Sequence, residues 1–262
     1  MLFDFSPYQA VLLDLDGTLC NENEPLPGAA ALIGRLKRED RKIACLSNSI
    51  QSPARVARRL RDISIDLSPD LLYTAAEAAA NYCIEHYPAG AGLYSLASEG
   101  IAELLGERFR WVESELEDCR AVVVGNTTCV NCTLPRLRTG MHLIRRGAAC
   151  LGICGDRAFP SPAGLEIGTG SVTRMLAYAA NVQPIIFGKP ERAFFQGLCD
   201  RLGVKAQDCI LIGDNLDSDI GGAKNVGMRT ILSLTGVTSR RDFATAPEGL
   251  RPDWVVQNLE EL

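Results

Sequence analysis

The stretch DLDGTL, residues 14–19, sets two carboxylates two positions apart at the end of an apolar run, AVLLDLD. On a regular strand Asp14 and Asp16 share a face, and carboxylates that close repel one another unless a cation compensates. Magnesium meets that need, because it favours oxygen ligands and pairs with substrate phosphates. A strand-end turn with incidental acids is the plainer reading, yet burying two acids beside AVLL without a purpose is costly. A second acidic group lies far downstream. Asp214 closes the run CILIGD, and Asp219 follows five residues later, near a helix start. A helix-capping acid accounts for one of these, not for the pair together with DLDG. Lys189, in GKP, follows the run PIIF and precedes Pro190, a residue suited to a helix start. Its place at a strand end suits a cation facing phosphate. CLSNS adds the Ser47 hydroxyl at another strand end, with Asn48 beside it.

Residues this far apart need elements that bring them together. Short apolar runs alternate with longer helical patterns. AVLLDLD (10–16), KIACLSN (42–48), AVVVG (121–125), AACLGIC (148–154), PIIFG (184–188), CILIGD (209–214), TILSL (230–234) and WVVQ (254–257) read as strands, while 28–40 and 52–62 read as helices. Continuous apolar strands separated by helices indicate a parallel sheet covered on both faces, the α/β class. In open sheets of this class ligands bind beyond the carboxyl ends of the strands, near a switch in strand order. Asp14 with Asp16, Ser47 with Asn48, and Asp214 with Asn215 each end a strand, so all three pairs can meet in one crevice.

Composition narrows the function. The 262 residues suffice for one large domain or two modest ones. A net charge of −5 offers no broad basic field to nucleic acid or to an anionic membrane. The arginine-rich stretches RLKREDRK and RVARRLRD have helical spacing and read as solvated helix faces. The amino terminus has acids inside its apolar run and no basic leader, unlike a signal peptide, and no apolar run approaches the roughly 18 residues of a spanning helix. Ten cysteines without a secretion signal argue for reduced thiols in the cytoplasm. With only His86 and His142 present, imidazole-centred catalysis is disfavoured.

DLDGTL, CLSNS, GKP and IGDNLDSDIGGAKNVGM together resemble, in order, the four motifs of the haloacid-dehalogenase-like hydrolase superfamily. LPGAAALIGRLKREDRKIACLSNS, PSPAGLEIGTGS and PDWVVQNLEEL resemble its subfamily IIA, the branch of p-nitrophenyl phosphatases, nucleotide monophosphatases and phosphoglycolate phosphatases. The resemblance implies a doubly wound, Rossmann-like core of residues 1–77 and 182–262, with a large α/β cap of residues 78–181 inserted between the second and third motifs. It also implies magnesium-dependent hydrolysis of a small phosphate monoester, such as a sugar phosphate or a nucleotide monophosphate. Asp14 would attack phosphorus to form an aspartyl-phosphate, and Asp16 would protonate the leaving oxygen and then deprotonate water. Magnesium would be held by the Asp14 carboxylate, the Asp16 carbonyl and Asp214, with Asp219 as a further ligand or directly behind them. Ser47 and the Asn48 amide would hold phosphoryl oxygens, and Lys189 would offset charge on nucleophile and phosphate. Dehalogenases of similar layout need neither a general acid nor magnesium, so Asp16 with Asp214 favours phosphoryl transfer. A phosphotransferase or mutase with the same intermediate, and a non-catalytic binding protein on this fold, remain as alternatives. The expected partner is a small phosphate ester, with no nucleic acid or membrane and with pairing of two copies through the cap as a further option.

The cysteines raise a separate question. Cys129 and Cys132 form C-x-x-C, and Cys150 and Cys154 follow, a superficial likeness to a four-cysteine zinc site. Four residues along a strand span about 13 Å, too far for both of the second pair to reach one zinc unless the strand ends early. Structural or loop cysteines are the favoured reading over a metal or redox pair. GTGS (168–171) lacks the third glycine of a dinucleotide fingerprint and reads as a helix start beside the site, as in the resembling branch. Cys20 reads as a small buried hydrophobe. In that branch the segment after the VVVG strand commonly carries an acid and an aromatic; GNTTCVNCTLP has neither. Asn126, Thr127, Thr128 and Asn131 are therefore candidates for selecting the leaving group, with Arg136 and Arg138 as weaker ones. Asp14→Asn and Asp16→Asn are each expected to abolish magnesium-dependent phosphate release while circular dichroism shows an intact fold; near-normal turnover by a folded Asp14→Asn protein would contradict the mechanism.

Overall fold

The computed structural model describes residues 2–21, 24–97, 99–125, 132–161 and 164–262. The chain divides into two compact units, one of residues 1–47, 53–73 and 189–262, the other of residues 48–52 and 74–188.

The first unit is built on a six-stranded sheet. Strand Ala10–Asp14 lies in its interior, paired in parallel with Lys42–Ser47 on one side and Cys209–Gly213 on the other. Arg229–Ser233 and Trp254–Val256 extend the second side in parallel, and Leu72–Thr74 ends the first. Strand order thus reverses between Ala10–Asp14 and Cys209–Gly213, which makes this pair the switch point of a doubly wound sheet. The strand AVLLD is buried at every position. Val11 and Leu13 join one apolar cluster with Ile43, Cys45, Ile210 and Ile212, and strand alternation turns Leu12 to the other face. Two helices cover that cluster. Ala29–Arg38 buries Ala29, Leu32, Ile33 and Leu36, and Pro53–Asp62 buries Pro53, Val56, Ala57 and Leu60. Each set follows the i, i+3, i+4, i+7 spacing of one helical stripe; Arg38, Arg58 and Arg61 are exposed as the sequence suggests, whereas Arg35, Arg55 and Arg59 are half-buried.

The second unit has its own five-stranded parallel sheet, ordered Ile185–Ile186, Ala149–Gly152, Ala121–Val124, Gly92–Leu96 and Arg110–Trp111. Leu93, Val123 and Leu151 pack on one face with helices Ala75–His86 and Glu99–Leu105. Tyr94, Val122, Val124 and Cys150 pack on the other with Leu134–Arg145 and Thr169–Ala180. A hairpin of Ala158–Ser161 and Gly164–Ile167 completes the unit. The run PIIF therefore pairs in this sheet and not in that of the first unit. Helix Ala75–His86 also belongs here, so the chain changes units at 73/74 and 188/189, and residues 48–52 count with the second unit. Sequence periodicity finds strands without telling which sheet they join.

Cys150 and Cys154 fall in two different apolar clusters. The strand does end early, at Gly152, but the two thiols face separate cores. Cys132 packs beside the cluster of Cys150, and Cys129 lies outside the described residues, as do Asn126, Thr127, Thr128 and Asn131. No disulfide joins any two of the nine described cysteines.

Candidate active site

Register carries the acids together. Leu13 pairs with Ile212, so Asp14 and Asp214 leave adjacent strands at the same end of the sheet. The turn after Asp214 returns Asp219 to them through one π-helical turn, Leu216–Gly221, which Asn215 caps by accepting from the amides of Asp217 and Ser218. One carboxylate oxygen from each of Asp14, Asp214 and Asp219 lies within 4.8 Å of the other two, and all three residues are buried. Among the described residues this is the only such group of potential metal ligands.

Lys189 sits inside the group. Its Nζ donates to Asp14 Oδ1 and, at 2.6 Å, to Asp219 Oδ1. Burial alone would lower the lysine's pKa, but the Asp14 and Asp219 charges raise it well above the ordinary value. Asp214 and Asp219 are both raised above the usual carboxylate range, first by burial and then by the charge of Asp14. Three carboxylates face one ammonium, so two negative charges are left over once all are ionised. Like charges about 4 Å apart repel by about 4 kcal/mol at an effective dielectric of 20. A divalent cation with a preference for oxygen removes that repulsion, and the all-carboxylate donor set fits magnesium.

Five of the six carboxylate oxygens in the group accept a hydrogen bond from the described residues. Thr18 Oγ1 donates to Asp14 Oδ2 at 3.0 Å. Asp219 Oδ2 accepts from the amides of Asp214 at 3.2 Å and Asn215 at 3.0 Å. Asp214 Oδ2 accepts from the Val237 amide at 2.6 Å. Asp214 is also clamped between two glycines: a Cβ on Gly17 would lie 2.5 Å from Asp214 Oδ2, and one on Gly236 only 1.9 Å from it. Gly17 in addition has φ +94°, a left-handed backbone that favours glycine. Its carbonyl accepts from Thr235 Oγ1 at 2.7 Å, tying the turn to the loop after strand Arg229–Ser233.

The structure separates the two acids of DLDG. The strand stops at Asp14, and the turn sends Asp16 outward, its side chain 53% exposed and paired with Arg59 at 2.9 Å. The expectation of two buried acids on one face is corrected accordingly: a regular pleat does not continue past Leu15. Asp16's side chain is absent from the carboxylate group. Ser47 ends strand Lys42–Ser47, one residue past Leu46, the register partner of Asp14, and is buried. Asn48 counts with the second unit, where its side chain donates to Asp156 at 3.0 Å. The helix start at GTGS is as expected, with Thr169 opening Thr169–Ala180. Cys20 is fully buried, also as expected. Arg136 is engaged within its own unit, donating to Glu113 and to the Ser95 carbonyl and lying over the Tyr94 ring, whereas Arg138 is exposed. A shallow cavity lined by Gln9, Cys199, Lys205 and Asp208 lies at the amino-terminal ends of the strands, away from the carboxylates.

Two family models cover the segments that build this geometry: residues 11–108 match haloacid dehalogenase-like hydrolase, and residues 186–262 match HAD-hydrolase-like. The chain is also 32% identical over 257 residues to the 5'-nucleotidase YutF of Bacillus subtilis, with 97% of each chain covered. It belongs to the haloacid dehalogenase-like hydrolase family. An acid sugar phosphatase of Staphylococcus epidermidis is 32% identical over 237 residues, 90% of each chain. Among solved structures, the p-nitrophenyl phosphatase from Archaeoglobus fulgidus superimposes with TM-score 0.88 at 27% identity, covering 97% of each chain. A glycerol phosphate phosphatase from Mycobacterium tuberculosis in complex with magnesium gives 0.87 at 25% identity, over all of this chain and 78% of the other. The α/β reading of the sequence and its likeness to this hydrolase family, subfamily IIA included, are borne out.

Thr18, Thr235, Gly236 and Val237 are the members of this hydrolase site that sequence reasoning passed over. The available signal was LTGVT, a polar, glycine-containing segment after a fourth strand end, of the kind already used for Asp14, Ser47 and Asp214. Two outcomes are expected here. Since the folded values of Asp214 and Asp219 lie above the unfolded value near 3.8, their contribution to metal-free stability is present below about pH 4 and lost as pH rises. Magnesium needs the ionised carboxylates, so the upward shift in thermal midpoint on adding it should be larger at about pH 8 than at about pH 5; equal shifts would contradict binding at these acids. Gly236→Ala should fold yet lose most of that shift, because its Cβ displaces Asp214; an unchanged shift would show that the clamp is dispensable.

Proposed function

We propose that this hydrolase is a magnesium-dependent phosphatase of small phosphate monoesters, working through an aspartyl-phosphate on Asp14. The observation that carries the reading is the Asp14 carboxylate held by Lys189 and Thr18 at the switch point, with Asp214 and Asp219 beside it and Asp16 outside the buried group. The names borne by similar proteins, 5'-nucleotidase, acid sugar phosphatase, p-nitrophenyl phosphatase and glycerol phosphate phosphatase, support phosphate monoesters as the substrate class.

Asp14 is fixed for attack because Thr18 and Lys189 each hold one of its oxygens. As an Asp14 oxygen bonds to phosphorus in line, the bond to the leaving oxygen breaks and Asp16 supplies its proton. In the second half Asp16 takes a proton from water, whose oxygen attacks phosphorus and releases Asp14. Lys189 offsets the charge that gathers on nucleophile and phosphoryl oxygens. Ser47 and the Asn48 amide offer donors to those oxygens. Asp14, Asp214 and the Asp16 carbonyl would hold magnesium, with Asp219 fixing Asp214 and Lys189 from behind or adding a ligand. Bound there, the ion neutralises the excess acid charge and polarises the phosphoryl group. We assign the second unit the substrate-selecting role of the family's cap domain, and the ten cysteines suit a reducing cytoplasm. A broad panel of phosphate monoesters assayed with and without magnesium tests the reading, ranked by kcat/KM. Borohydride trapping during turnover should reduce Asp14 alone, read by peptide mass. No magnesium-dependent turnover of any ester, or trapping elsewhere, would overturn it.

A further inference from the structure

Asp16 leaves the strand end on the exposed side of the turn, where a carboxylate samples its rotamers unless something holds it. Arg59 holds it. Its Nη2 donates to Asp16 Oδ1 at 2.9 Å, across 43 residues of chain. Cys20, bridged to Asp16 through the backbone, brings its Sγ to 4.0 Å from the same oxygen. Both contacts fall on Oδ1; no hydrogen bond from the described residues reaches Oδ2. Arg59 itself comes from helix Pro53–Asp62, whose neighbouring positions Val56, Ala57 and Leu60 are buried in the core. The guanidinium is therefore anchored on a packed element, and its planar fork orients a carboxylate better than a flexible ammonium does. An exposed pair of this kind adds little to fold stability, so its value has to be sought in geometry.

We propose that Arg59 is a positioning residue for the proton transfers of Asp16. By engaging Oδ1 it presents Oδ2, first to the leaving oxygen and then to the attacking water. The proposal rests on the reading of Asp16 as general acid and base given above. In the first transfer the proton passes from Oδ2 to the leaving oxygen as its bond to phosphorus breaks. In the second a water proton returns to Oδ2 as the water oxygen bonds to phosphorus. Arg59 keeps its own protons throughout.

The test compares wild type, Arg59→Ala, Arg59→Gln and Arg59→Lys on alkyl phosphates and on p-nitrophenyl phosphate, with magnesium present. Loss of oriented acid catalysis penalises poor leaving groups and spares good ones. In Arg59→Ala, kcat/KM for alkyl phosphates should fall about 10-fold to 100-fold. For p-nitrophenyl phosphate it should change less than about 2-fold, since that leaving group departs without a proton. The inhibition constant of inorganic phosphate should not move, and Arg59→Lys, which keeps the charge without the planar fork, should recover only part of the loss. Arg59→Gln, which keeps the packed stem, stands in should the alanine variant fold poorly. Equal losses on all leaving groups, no loss at all, or weakened inhibition by phosphate in step with the loss would overturn the proposal; the last would mark Arg59 as a phosphate contact. A wild type without magnesium-dependent turnover overturns the phosphatase reading and this proposal with it. An active wild type indifferent to Arg59 overturns only the latter.

Discussion

The ammonium of Lys189 is buried among carboxylates that could not otherwise share so small a volume. It bonds Asp14 and Asp219 at once, and these two residues are 205 positions apart in the chain. Without a cation there, the acids could lower their mutual repulsion only by taking up protons, which would remove the negative charge that the proposed nucleophile and metal ligands both need. The rest of the site is arranged around this constraint. Backbone amides of Asp214, Asn215 and Val237 point at carboxylate oxygens, and Thr18 takes the last oxygen of Asp14. The single lysine leaves an excess of negative charge, so the site is balanced for one more cation.

Asp16 obeys a different rule. Two residues from Asp14 and its buried charge cluster, it is paired with an arginine in partly exposed surroundings. The turn at Gly17 separates the two environments. The proposed nucleophile needs to be fixed, dry and ionised, whereas the proposed proton donor needs access to substrate and water. One short motif offers both environments because the strand ends between them.

Much of this was legible in the sequence. AVLL and CILI announce strands buried on both faces, and Asp14 and Asp214 stand at their ends. The 3.6-residue spacing of Leu32, Ile33 and Leu36, and of Val56, Ala57 and Leu60, marks the two covering helices. Other features left weaker traces. Gly92–Leu96, with its glycine and serine, and Arg110–Trp111, only two residues long, lack a strong apolar pattern. The pairing of Ile185–Ile186 with Ala149–Gly152 depends on contacts that no local pattern encodes. The Val237 amide is a backbone donor, so the residue type at that position carries no mark of its role. The outward turn of Asp16 follows from the end of the pleat, which alternation alone does not reveal.

The interior place of strand Ala10–Asp14 also bears on how the chain is made. Its partner on one side, Lys42–Ser47, is synthesised within a few dozen residues, while the other, Cys209–Gly213, begins 195 residues after Asp14. At about 5–20 residues per second, one edge of a fully apolar strand waits roughly 10–40 s on the ribosome for its neighbour. The second unit, encoded almost wholly within that interval, emerges first and can form its own sheet meanwhile. Asp14, Asp214 and Asp219 thus become a single site only with the last quarter of the chain, so a truncated product would expose a sticky edge while holding no assembled carboxylate group.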